Sequence, residues 1–348
     1  MQDLAGKEIR LKIVPMKKTF LIGLFSALSI AVFNSCTKSN SQTLASKTTE
    51  EKEDEEGYIT IDTSQIPDDQ FGESVRYGRE LMMKTAYYIG PNGKNGQYLG
   101  NKMNCTNCHQ DAGTKPHAFN LMSSHDNYPQ YRGRENKVLT LAERVNNCIM
   151  RPHSGKPLPL DSKEMVAFLS YFKWISKFVP KDGNFKGAKN LEIEFPDVAA
   201  SPERGKVLFA ENCARCHGNN GEGVYNADKS GYTYPPLWGQ YGYQPGSSMH
   251  RVIKQAQWLK SNMPYDKVQL GKPYLTDKQA LDIAAYVNDD SQHSRPNPKT
   301  LDYPDKMGKP IDYAHSPFND NFSEEQHKYG PYKPIIAYWK KQGWKAVY

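Results

Sequence analysis

The chain lacks a hydrophobic run long enough to span a membrane. Its longest apolar stretch without charge, residues 20–33, is fourteen residues, whereas a helical span needs about twenty. It also lacks a strong charge excess. The formal charge of the 348 residues is +7; residues 1–35 contribute five Lys/Arg against Asp3 and Glu8, which leaves +4 (7 − 3) from Cys36 onward. So mild a balance excludes nucleic acid as the expected partner. Apolar residues make up only 38%, which suits two modest cores better than one large one. Cysteine is scarce, six in all, and what those six do sorts the chain.

Met16-Lys17-Lys18-Thr19, the apolar stretch after it and Asn34-Ser35-Cys36 form a basic head, an apolar core and a small residue before a cysteine. This is the pattern of a secretory signal, with Met16 as the expected start of translation. Cys36, placed like the lipidated cysteine of bacterial lipoproteins, would become the mature N-terminus and a lipid anchor to a membrane surface; a free cysteine in a discarded peptide is the plainer alternative. The expected location is the periplasm or cell envelope. Residues 37–71 are polar and, at Glu50-Glu51-Lys52-Glu53-Asp54-Glu55-Glu56, strongly acidic, so they are expected to form a disordered stalk.

Four of the remaining cysteines lie in Cys105-Thr106-Asn107-Cys108-His109 and Cys213-Ala214-Arg215-Cys216-His217. Two thiols at this spacing reach the vinyl groups of a haem on one turn, and the following His reaches its iron. One such pentapeptide could equally be a zinc or redox site. Two of them in an exported chain point to two covalently attached haem c groups.

The flanks of the two motifs repeat. Ser201-Pro202-Glu203-Arg204-Gly205 starts a capped helix ahead of the second motif, and Gly78-Arg79-Glu80-Leu81-Met82 plays the same part ahead of the first. Asp161-Ser162-Lys163-Glu164 and Thr276-Asp277-Lys278-Gln279 then cap a helix after each motif, and aligning those caps matches Tyr171 with Tyr286. The expected fold is therefore all-α, two class I-like cytochrome c domains in tandem with an extended C-terminal tail. The expected boundaries are 72–180 for the N-terminal domain, 181–200 for a linker, 201–290 for the C-terminal domain and 291–348 for the tail. The tail's aromatic residues argue that it packs on the domains.

The sixth iron ligand of the second haem is expected at Met263 in Asn262-Met263-Pro264, 46 residues (263 − 217) beyond His217; Met249 and His250 are the competitors. The duplication then supplies the first. Met263 lies 13 residues (276 − 263) before its cap, and the residue 13 before Asp161 is Cys148, the unpaired thiol. His109/Cys148 and His217/Met263 are the expected ligand pairs, with Met150 or His153 as alternatives to Cys148. A thiolate lowers the reduction potential and a thioether raises it, so electrons are expected to flow from the first haem to the second. Arg132, Arg134, Arg144, Arg151 and Lys156 crowd the sequence around Cys148, a composition that suits small oxyanions as well as haem propionates.

Residues 72 to about 335 resemble the dihaem thiosulfate dehydrogenase family. The likeness rests on Tyr131-Arg132-Gly133-Arg134, on Leu141-Ala142-Glu143-Arg144-Val145-Asn146-Asn147-Cys148, on Gly155-Lys156-Pro157-Leu158-Pro159, on Lys260-Ser261-Asn262-Met263-Pro264, on Asp282-Ile283-Ala284-Ala285-Tyr286 and on His327-Lys328-Tyr329-Gly330-Pro331. The resemblance implies interconversion of thiosulfate and tetrathionate at the first haem. It carries over His109 and Cys148 as axial ligands, Arg134 and Arg144 as substrate-binding groups, and Cys148 as a residue that bonds transiently to substrate sulfur. A small soluble cytochrome or a membrane redox protein is the partner implied. Pro152 stands where family members carry Ser, and Asn262 where some carry Lys. The competing reading is a non-catalytic dihaem electron carrier; a dihaem peroxidase would prefer an open or His-ligated iron.

Overall fold

The computed structural model describes residues 54–296, 303–313 and 315–348. The signal segment, Cys36 and the stalk as far as residue 53 lie outside the described residues, as do tail residues 297–302 and 314. No helix among the described residues is long and apolar enough to cross a membrane.

Eleven helices are described: α1 (Gln70–Met83), α2 (Thr85–Ile89), α3 (Gln110–Gly113), α4 (Leu141–Met150), α5 (Lys163–Ser176), α6 (Pro202–Asn212), α7 (Ala214–His217), α8 (Val252–Asn262), α9 (Asp277–Val287), α10 (Glu324–Tyr329) and α11 (Tyr332–Lys341). Two small antiparallel hairpins accompany them: β1 (Gln130–Arg132) with β2 (Lys137–Leu139), and β3 (Val224–Tyr225) with β4 (Tyr232–Tyr234). The all-α class expected from the sequence is what the chain adopts.

Local chemistry sets the helix ends. Asp69 accepts from the Gly72 amide at the start of α1, Ser201 caps α6 with Pro202 in the first turn, and Thr140–Glu143 and Thr276–Gln279 form reciprocal capping boxes. The cap of α5 is Ser162, one residue later than Asp161; both types cap well, and the hydroxyl reaches the Met165 amide at 3.2 Å.

Each half is built on a helix pair, α1 with α5 and α6 with α9. A glycine sits at each crossing. A Cβ on Gly78 would lie 2.0 Å from the Ala167 carbonyl oxygen and 2.7 Å from Tyr171 Cβ; one on Gly205 would lie 1.9 Å from the Asp282 carbonyl oxygen and 2.7 Å from Tyr286 Cβ. The packing thus pairs Tyr171 with Tyr286 at an offset of 115 (286 − 171), the same offset that relates Cys148 to Met263. The one-residue slip of the cap does not disturb the register of the helices.

Each pair has its own core. The first gathers Leu81, Met82, Phe168, Tyr171, Trp174 and Phe178; the second gathers Phe209, Trp238, Trp258, Ile283 and Tyr286. Tail residues Ile311, Tyr332, Ile335 and Trp339 join the second core at 0–2% exposure, each buried side chain contributing about 1.5–3 kcal/mol.

Two expectations need correction. Tyr58, Ile59 and Ile66, inside the segment assigned to a stalk, are buried, because isolated apolar residues among polar ones pack even where no periodicity announces them. The tail is also not simply extended. It forms α10 and α11, and Asp312 reaches back to α8, whose own preceding residue makes no side-chain cap. The Asp312 carboxylate accepts from the Ile253 amide at 3.0 Å and from Arg251 Nε at 2.9 Å, so a buried tail residue supplies the cap of a second-half helix.

Candidate active site

Both Cys-x-x-Cys-His segments fold into the same turn. The His109 amide donates to the Cys105 carbonyl at 2.9 Å, and the His217 amide to the Cys213 carbonyl at 3.0 Å, so two thiols and an imidazole emerge from one turn. Each imidazole is then fixed from behind. His109 Nδ1 donates to the Phe119 carbonyl at 2.6 Å, and His217 Nδ1 to the Pro235 carbonyl at 2.9 Å. That bond sets the tautomer and leaves Nε2 as the lone-pair donor for a metal. Burial opposes protonation of both rings, pushing His109 down to about 4 and His217 below its ordinary value, which keeps them in the ligating form.

The five described cysteines are unpaired. Burial raises the thiols of Cys105, Cys108 and Cys213 to about 12. Cys105 and Cys108 also feel the charge of Cys148, which brings the odd thiol into the same site. The donor set of each half, two half-buried unpaired thiols and an imidazole whose Nε2 has no hydrogen-bond partner among the described residues, fits a haem c.

Cys148 sits in the last turn of α4. Arg144, one turn earlier on the same face, donates from Nη1 to Cys148 Sγ at 2.8 Å. The charge of Cys148 pushes Arg144 further up from its already high value. Tyr128, which sequence reasoning missed, joins this group: burial raises its phenol, while the charges of Arg144 and Arg132 pull it down. Glu135 was missed as well. Its carboxylate accepts from Arg151 Nη2 at 2.6 Å and Asn147 Nδ2 at 2.9 Å, tying the β1–β2 hairpin to the turn of α4 that bears Cys148. The adjacent Arg residues in the sequence were the only signal that an acid had a role there.

Arg134 is placed differently from Arg144. Its Nη1 donates to the Gly246 carbonyl at 2.5 Å, its Nε to the Tyr303 hydroxyl at 3.2 Å, and its guanidinium lies 5.2 Å from the Tyr303 ring centroid. It therefore joins the first half to a second-half loop and the tail. Gln244 of that loop donates to the Met150 carbonyl, two residues beyond Cys148. His153 is buried, its Nδ1 is 3.3 Å from Asn101 Oδ1, and burial and the charge of His109 lower it to about 4.

Around the second motif, Met263 is the residue that ends α8, half-buried against the core. Arg215, inside the motif, pairs with Asp266 of the Met263 loop. His250 is engaged elsewhere, its Nε2 on Asp290 at 2.9 Å, and Met249 is packed in the core at 7% exposure.

Comparison with known proteins gives a consistent result for both halves. Residues 202–290 match the cytochrome c family, and residues 96–180 match the SoxA/TsdA cytochrome c domain family. Thiosulfate dehydrogenase of Stutzerimonas stutzeri (strain A1501) is 35% identical over 237 residues, covering 68% of this chain and 72% of that protein. The chain belongs to the thiosulfate dehydrogenase family. Thiosulfate dehydrogenase of Psychrobacter arcticus is 37% identical over 225 residues, 65% of either chain. The solved structure of thiosulfate dehydrogenase (TsdBA) from Marichromatium purpuratum, in its as-isolated form, superposes with a TM-score of 0.60 at 30% identity; it covers 68% of this chain and spans only half of that longer one. As a family member the protein is a thiosulfate dehydrogenase-like oxidoreductase, and its two cytochrome c domains call for haem c.

Proposed function

We propose that the protein interconverts thiosulfate and tetrathionate at the first site and passes electrons out through the second. Two haem c groups, attached at Cys105/Cys108 and Cys213/Cys216 and ligated by His109/Cys148 and His217/Met263, would supply one-electron acceptance. The observation that carries the reading is the 2.8 Å contact of Arg144 with Cys148 Sγ. A cation held against a sulfur offers its remaining N–H groups to an oxyanion bound beside it.

The chemistry balances at Cys148. Its thiolate bonds to the sulfane sulfur of one thiosulfate with loss of two electrons, giving Cys148–S–S–SO₃⁻. A second thiosulfate attacks that sulfane sulfur, tetrathionate leaves, and the Cys148 thiolate is restored. The reverse sequence reduces tetrathionate. Arg144 holds the sulfonate end and keeps the leaving thiolate charged, while Arg134, braced by Gly246 and Tyr303, shapes the cleft side formed by the second half. Pro152 replaces a family Ser, so the sulfonate is held by guanidinium groups rather than a hydroxyl at that position. Cys36, as a lipid anchor, would tether the enzyme to the envelope, facing a small cytochrome or membrane redox partner.

Purified protein given thiosulfate and ferricyanide, and separately tetrathionate and reduced viologen, tests this. Turnover in at least one direction that disappears in Cys148→Ser is expected. Absence of turnover in both directions, with both haems loaded, leaves the electron-carrier reading instead.

A further inference from the structure

Two side chains of α8, one turn apart, leave the second half and donate hydrogen bonds to backbone carbonyls of the first. Trp258 Nε1 reaches the Cys108 carbonyl at 3.0 Å, and Asn262 Nδ2 reaches the His117 carbonyl at 2.8 Å. Trp258 is 6% exposed and Asn262 is fully buried. A buried N–H left unpaired is costly, so neither bond is readily given up to water.

The positions of donor and acceptor give these bonds their meaning. Cys108 immediately precedes His109, and His117 lies two residues before Phe119, whose carbonyl holds the His109 ring. Asn262 immediately precedes Met263. Asn262 also donates to the Trp258 carbonyl at 3.1 Å, and its Oδ1 is buried with no partner among the described residues, so its donated bonds orient the amide. The equivalent residue of the first copy, Asn147, donates to Glu135 within its own half. The crossing is thus a property of the second copy, not of the duplicated scaffold.

We infer that α8 ties the two haem sites together, with Trp258 and Asn262 as positioning residues that transmit a change of ligation at one site to the other. The inference rests on the proposed ligands His109 and Met263. Displacing Met263 draws on Asn262 and hence on the His117–Phe119 backbone. That backbone carries the carbonyl that sets the orientation and basicity of the His109 imidazole, and outer hydrogen bonds of this kind tune a ligand's donation. The same connection runs in reverse, since coupling between sites is reciprocal.

The test uses the full-length protein with both haems and a potentiometric titration followed by visible absorption. Cys148→Ser perturbs the first site, and the second haem's midpoint is read. The midpoint shifts in the parent background, and the shift is lost when Trp258→Phe and Asn262→Leu are both present with two haems still bound. Trp258→Phe alone, which removes one N–H and keeps the ring's bulk, gives a partial loss and serves if Asn262→Leu prevents haem loading. An equal shift with and without the tie, or no shift in the parent, overturns the inference. Failure of the ligand assignment shows separately: Cys148→Ser would leave the first haem's ferric paramagnetic resonance unchanged, or Met263→Ala the second haem's spectrum.

Discussion

The two halves share a glycine-seated helix crossing and the same attachment turn, yet they differ four residues ahead of the candidate sixth ligand. In the first half that residue is Arg144, with its guanidinium on Cys148 Sγ; in the second it is Leu259, 8% exposed in the core. One scaffold thus carries two chemistries. On the proposed reading, a cation beside the Cys148 sulfur suits a site that holds an oxyanion, whereas a leucine ahead of a thioether suits a site that only exchanges electrons. The helix crossings differ in a related way. In the second, Asp282 binds Arg204 at 2.7 and 2.8 Å and Lys278 at 2.9 Å; in the first, Ala167 occupies the place of Asp282 and aromatic packing dominates.

The strongest way to break this contrast is to remove the proposed nucleophile. Cys148→Ser is expected to lower turnover by at least ~10³-fold and to abolish the low-spin thiolate signal in paramagnetic resonance, leaving the second haem's signal in place. Next comes Arg144→Leu, which copies the second half into the first. Loss of one charge-assisted hydrogen bond of about 1.5–3 kcal/mol should reduce kcat/KM with thiosulfate by roughly 10–150-fold, with haem content unchanged. The shared scaffold predicts equal injury from Gly78→Ala and Gly205→Ala. Each puts a Cβ about 2 Å from a carbonyl oxygen and should cost about 1–3 kcal/mol in denaturant unfolding; a cost in one half only would show that the crossings are not equivalent.

Per pH unit, the effect of acid is the smallest expected. In the second half His250 is buried against Asp290, and burial outweighs the pairing to push the imidazole down to about 4, while the pairing holds Asp290 below the usual carboxylate range. The unfolded chain takes up a proton near the ordinary histidine value of about 6.5, before the folded form does. Stability should therefore fall as pH drops from about 6.5 toward 4, by at most about 1.4 kcal/mol per unit for this one group. His250→Gln should flatten that slope in an acid unfolding series.

Much of this was legible in the sequence because it is short-range. The haem motifs, the caps and the repeat offset all rest on spacing within a few residues or on comparison of two copies, and the offset survived even where the cap slipped from Asp161 to Ser162. What escaped was side-chain bonding to distant backbone. Arg134 on Gly246, Gln244 on Met150, Trp258 on Cys108 and Asn262 on His117 all end on carbonyl oxygens, which every residue has and which leave no trace in residue type. Tyr58, Ile59 and Ile66 escaped for another reason, since three apolar residues in a polar segment carry no period to read. Glu135 sat among arginines that drew attention to oxyanions and away from the acid that pairs with Arg151.

The carboxylate of Asp312 at the head of α8 has a consequence for the order of biosynthesis. Both Cys-x-x-Cys-His motifs are made well before residue 312, so a chain cut short ahead of it would still present both cysteine pairs. It would lack the group that fixes the start of the helix leading to Met263. The start of that helix thus waits on residues that follow both motifs in the chain, and on the proposed reading a product clipped between them would carry its haems yet pass electrons poorly.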